Sequence, residues 1–138
     1  MSMSNGSKIT LTPRNLTSAD LPDPFGDIDL QSEEGYEAPD PTMVKFQLSL
    51  DIGPAGSVEA DLFECIVVTK KIESKVQGNI KKIVLNTYTH HNLKRRLLAV
   101  IAECEAETWY SCLKNLRRCF SWEYEGMYTE DDIRRLND

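Results

Sequence analysis

Between Arg14 and Lys45 the chain has no lysine and no arginine. It has two histidines, His90 and His91, and they are adjacent. It has no C-x-x-C pair, no G-x-x-x-x-G-K or G-x-G-x-x-G loop, and no apolar run long enough to cross a bilayer. Each absence excludes something. Neighbouring residues on a helix point to different faces, so the two histidines do not make a ligand pair. Cysteines at 65, 104, 112 and 119 are spaced too widely for a zinc cage. No metal and no cofactor is therefore expected, and the cysteines read as small buried hydrophobes of a reducing compartment. Without a phosphate loop there is no nucleotide-binding motif. Without about 20 consecutive apolar residues there is no membrane helix. The opening MSMSNGSKITLTPR lacks the basic-then-apolar order of a secretion signal, so a cytoplasmic protein is expected. At 138 residues one domain is expected, spanning 8–138 behind a disordered Ser/Gly/Asn-rich start, 1–7.

What is present is acid in one place. The stretch without basic residues holds Asp20, Asp23, Asp27, Asp29, Glu33, Glu34, Glu37 and Asp40. With those eight set aside, the other 14 of the 22 acidic residues nearly balance the 16 Lys and Arg. The net charge of -6 is thus a local feature. A concentrated negative segment disfavours nucleic acid, whose phosphates need a basic surface. It suits a basic protein partner through steering and complementarity. These eight residues are the candidate binding site.

Residues 8–12 (KITLT) alternate and read as a first strand that ends at Pro13, which cannot donate to a ladder. Residues 15–41, rich in Asp, Pro, Gly and Ser, read as one long connection. A structureless loop of that length is usually functional or disordered. Residues 43–52 are the clearest pattern: Val44, Phe46, Leu48, Leu50 and Ile52 alternate with polar partners, as in an antiparallel strand with one wet face. GPAGS, 53–57, is a turn, and 58–69 returns as a hairpin. Residues 72–76 form a helical turn and 79–88 read as the third strand of a meander. Thr89 caps a helix whose stripe is Leu93, Leu97, Val100, Ile101 and Cys104. A second helix runs from about 108 to 118, preceded by Glu105 and Glu107, which suit its N-terminus. It places Trp109, Cys112, Leu113 and Leu116 on one face. Residues 120–124 alternate as a strand, and Thr129 caps a tail helix over 130–136. The fold predicted is α+β: an antiparallel sheet of four to five strands with two main helices on one face. The 104–124 stretch, with both tryptophans, carries its bulkiest apolar groups.

No group is arranged for catalysis. A nucleophile needs a base and an orienting partner, and the histidines lie at a helix start with no nucleophile turn near them. Glu123 and Glu125 share a strand face, but that face reads as wet. A deep polar pocket around His90 or His91 would instead point to a small-ligand enzyme.

Three segments, FQLSLDIGPAGSVEADLFECIVVT (46–69), CEAETWYSCLKNL (104–116) and FSWEYEG (120–126), resemble the immunity protein 8 family of bacterial polymorphic toxin systems. The family pattern is a strand ending in G-P-x-G, an F-x-x-x-V-x-T return strand, an E-x-T-W helix and a W-E-F/Y-E ending, and the resemblance covers roughly 45–128. Ile72-Glu73 departs from it, where the family has Trp-Leu. The resemblance implies a small cytosolic non-enzyme that binds the C-terminal domain of a cognate toxin, delivered by contact-dependent inhibition or a related route. Many such toxins are nucleases with basic surfaces, which the acidic segment would cover. Phe25, Tyr36 and Tyr128 are candidate anchors, with Glu123, Glu125 and Tyr128 as a second interface. The expected partners are a basic toxin domain, no nucleic acid and no membrane, with a monomer when free. The alternative is an adaptor that binds some other basic protein.

Overall fold

A computed structural model of the chain describes residues 7–137; of the start expected to be disordered, 1–6 lies outside the described residues. The protein is α+β, as predicted. Among the described residues six strands form one sheet: β1 (Leu11–Thr17), β2 (Asp27–Ile28), β3 (Lys45–Pro54), β4 (Asp61–Thr69), β5 (Lys82–Leu85) and β6 (Ser121–Trp122). Three helices accompany it: α1 (His90–Glu103), α2 (Trp109–Cys119) and α3 (Glu130–Asn137). The spatial order is β2-β1-β3-β4-β5, with β6 pairing the start of β4.

The β3–β4 hairpin is the centre. Phe46 faces Val67, Leu48 faces Cys65 and Leu50 faces Phe63, and all six are buried. The alternation that predicted one buried face is therefore set in register across both strands. Gly56 has φ +80° in the connecting turn, a conformation that glycine adopts without a Cβ penalty. Leu93, Leu97 and Ile101 of α1 and Cys112, Leu113 and Leu116 of α2 join the strand residues in one apolar cluster. Phe120 closes it, its ring 6.1 Å from that of Phe63. Burying each of these large side chains contributes about 1.5–3 kcal/mol. The opposite sheet face is polar: Glu64 accepts from Gln47 and Ser49. Thr89 and Thr108 cap α1 and α2, accepting from Asn92 N and Ser111 N.

Four expectations need correction. β1 does not stop at Pro13 but runs to Thr17. The Leu11 N–H points away from β3, to Glu105 Oε2 at 2.8 Å. Two residues on, the nitrogen of Pro13 faces the same side, where β2 reaches only Leu16 and Thr17, so no ladder bond is lost. Segment 79–88 is not a meander strand. Only Lys82–Leu85 is extended, and it pairs parallel to β4, because a 3-10 segment at Lys70–Lys75 first carries the chain back along the sheet. The 15–41 connection is not wholly irregular: it begins inside β1 and contributes β2. Finally, strand 120–124 shrinks to Ser121–Trp122, since Glu125 N bonds back to Trp122 O and the chain turns.

Candidate functional site

The acidic segment lies folded on the body. Leu21 and Ser18 are buried, and Ile28, Leu30 and Tyr36 pack against the core. Its exit is stitched to the sheet: Thr69 Oγ1 donates to Thr42 O at 2.6 Å and accepts from Val44 N at 3.0 Å. The Tyr88 N–H donates to Pro41 O at 2.7 Å. A third tie comes from α1. His90 is buried, and its Nε2 lies 2.9 Å from Ser32 O. A carbonyl only accepts, so Nε2 carries the proton there. Gly35 presses on the same ring so closely that a Cβ would lie 2.4 Å from His90 Nδ1.

These ties leave an open cleft of about 980 Å³ between the segment and the start of α1. Asp27, Asp29, Glu33, Glu34 and Glu37 line it, and no lysine or arginine does. Phe25, Tyr36 and Tyr88 supply aromatic wall. The rings run inward as a chain: Phe25 to Tyr36 at 5.9 Å, Tyr36 to Tyr88 at 6.1 Å, and Tyr88 to Phe46 at 5.5 Å. Burial, with Tyr36 beside it, pushes the Tyr88 phenol up to about 12.

All eight candidate acids are exposed, but they are not equivalent. Asp20 Oδ2 accepts from Gln47 N on the edge of β3 at 2.8 Å. Asp29 Oδ1 accepts from Gln31 N at 2.9 Å. Asp40 accepts from the Thr42 N–H and hydroxyl, which hold its carboxyl below the usual range. These three shape the loop. The carboxylates of Asp23, Asp27, Glu33, Glu34 and Glu37 make no hydrogen bond or ion pair among the described residues.

The second candidate group lies elsewhere. β6 pairs with the start of β4, while α1 begins beyond its end, and a strand of nine residues is roughly 27 Å long. There Tyr124 packs on Trp122 and Tyr128 at 5.4 and 6.1 Å. Trp122 Nε1 donates to Asp61 Oδ2 at 3.0 Å, and burial raises the Asp61 carboxyl. Glu123 accepts from Leu62 N. Glu125 pairs with Arg117, which holds its carboxyl low and also bonds Glu130. All three are exposed, but the carboxylates of Glu123 and Glu125 are bonded within the fold, whereas Tyr128 has, among the described residues, only a ring contact with Tyr124.

Sequence reasoning missed Tyr88 and Pro41 as site-builders. Tyr88 ended an apparent strand, and nothing local announces that its ring meets Tyr36. The pocket at the histidines does exist, but it has no reactive pair: His90 bonds the Ser32 carbonyl, while the Ser32 hydroxyl accepts from Glu34 N at 3.1 Å. Among the described residues no group of three or more His, Cys, Asp and Glu could hold a metal ion, and no helix is long and apolar enough to cross a membrane.

The fold and the cleft together define a small α+β protein with a cleft lined by carboxylates. Family comparison narrows this: a family model described as Immunity protein 8 matches residues 26–127, and the chain belongs to that family. It is thereby an immunity protein of the polymorphic-toxin class. The match takes in Asp27 to Asp40, further upstream than the sequence resemblance alone reached, whereas β1, Asp20, Asp23 and α3 lie outside it. No curated protein and no solved structure matches the chain.

Proposed function

We propose that the chain, acting as one domain in the cytoplasm, neutralises its toxin by binding alone. It lays the acidic cleft over a basic, nucleic-acid-binding surface of the toxin's C-terminal domain, as a nuclease would present. Contact-dependent delivery of that toxin and a monomeric free state belong to the same reading. The observation that carries it is a set of carboxylates without partners among the described residues, Asp27, Glu33, Glu34 and Glu37, in one cleft with no lysine or arginine in its lining. Unpaired like charges cost free energy and are relieved by an opposite surface. Such a field raises association rates about 10- to 10³-fold, which suits a protein that must intercept its toxin.

The test uses the toxin domain encoded next to this gene. The two are co-purified, and association is followed by stopped flow over a range of salt. Charge reversal of Asp27, Glu33, Glu34 and Glu37 to Lys should slow association at low salt and flatten the salt dependence. An unchanged on-rate would move the interface to the Tyr124–Tyr128 end. The cleft at His90 and His91 is the one observation that favours a small-ligand enzyme, and the bonding of His90 to a backbone carbonyl weighs against it.

A further inference from the structure

The cleft has one feature that charge alone does not explain. Tyr88 is 2% exposed and lines the cleft, yet its hydroxyl has no hydrogen-bond partner among the described residues. A buried phenol normally has a partner, because leaving one unsatisfied costs roughly 1–3 kcal/mol. Its neighbours on the cleft side are Tyr36 and then Phe25, whose rings meet edge-to-face. Aromatic faces attract cations, and arginine most often. The carboxylates of Glu33, Glu34 and Glu37 line the same cleft without partners among the described residues.

Given the toxin reading, we infer that this cleft seats an arginine side chain from a projecting segment of the toxin, held by the Tyr88 hydroxyl, the Phe25–Tyr36 rings and the rim carboxylates. Three properties select arginine. Its guanidinium offers five donors in a planar fork, enough to serve a phenol oxygen and carboxylates together. The same plane stacks on aromatic rings, where a compact, strongly hydrated ammonium does so less well. Its apolar stem can lie along Leu21 and Ile28 of the wall. The volume, about 980 Å³, exceeds one side chain, so the arginine arrives on a loop or helix end rather than from a flat surface.

The experiment has two arms. In the first, Nα-acetyl-arginine amide is titrated into the full chain and followed by NMR, with the citrulline and lysine amides as controls. Arginine should give saturable shifts at Tyr36, Tyr88 and Gly35, about tenfold stronger than the neutral citrulline. Tyr88→Phe keeps the ring and removes the oxygen; it should weaken arginine about tenfold while leaving the fold as stable or more so. Arginine and citrulline binding alike, or Tyr88→Phe matching wild type, would overturn the inference.

The second arm uses the neighbouring toxin domain. Tyr88→Phe should speed dissociation and leave association unchanged, whereas charge reversal acts on association. A toxin captured through the acids but indifferent to Tyr88→Phe sinks the arginine seat and spares the proposed function. Arginine amide bound in the cleft with no capture of the toxin does the reverse.

Discussion

The 104–124 stretch and the 15–41 segment carry opposite kinds of side chain. The first buries Leu113, Leu116, Phe120 and Trp122 and turns several of its polar groups to bonds within the fold, such as Trp122 to Asp61 and Asn115 to Cys104 O. The second buries little and leaves five carboxylates on the surface without a partner among the described residues. A core gains from completeness, because each satisfied contact stabilises the folded state. A binding face gains from incompleteness, because what it leaves unpaired is what a partner can complete. The difference predicts that variants in the two regions separate stability from association.

Phe120→Ala and Trp122→Ala should cost about 3–5 kcal/mol each in denaturant unfolding, with little change in toxin on-rate for the molecules that remain folded. Reversal of Asp27, Glu33, Glu34 and Glu37 should do the converse: association at low salt falls about 10- to 10³-fold, and unfolding free energy moves by less than about 1 kcal/mol. If the reversal unfolds the protein, the division of labour is wrong. Gly35→Ala lies on the border between the regions. Its Cβ would strike the His90 ring, so a loss of about 1–3 kcal/mol and weaker toxin binding are expected, with no change of charge. Trp109→Ala should fall in the same range rather than match Trp122, since Trp109 is half-buried and holds α3 through Nε1–H to Asn137 Oδ1 at 3.1 Å.

The smallest effect belongs to Glu125→Gln. Arg117 lowers the Glu125 carboxyl below its ordinary 4.5, so the pair stabilises above that pH and the gain is lost as pH falls through the lower folded value. The carboxylate is about half exposed, which limits the loss at neutral pH to about 0.5 kcal/mol. Wild type and variant should converge in acid; a gap that widens there would show that the pair is not the source.

Much of the scaffold was legible because its signals are local. The period-two run in β3, the helical stripe of α1 and the threonine caps each need only a few residues of context. The acid-rich segment was equally plain, since charge needs no fold to be counted. The errors came where distant parts decide. Pro13 was read as a strand end, yet its nitrogen faces a side where no neighbour bonds. Segment 79–88 alternates like a meander strand, but alternation reports which face is buried and not which neighbour runs beside it. Glu123 and Glu125 seemed a free pair until Leu62 N and Arg117 claimed them.

By itself the sequence determined the α+β class, the β3–β4 hairpin, the helix starts, the family resemblance and the placement of all excess negative charge in one segment. These follow from periodicity, turn chemistry and composition, which act over a few residues at a time. Only the tertiary structure decided that β5 lies parallel to β4, that three of the eight acids shape the loop while five stand unpaired, and that Tyr88 and His90 meet the segment to form a cleft. Those outcomes depend on contacts such as Tyr88 N to Pro41 O and His90 to Ser32, between residues 47 and 58 positions apart. No local pattern encodes a meeting at that distance; the packing of the core sets it.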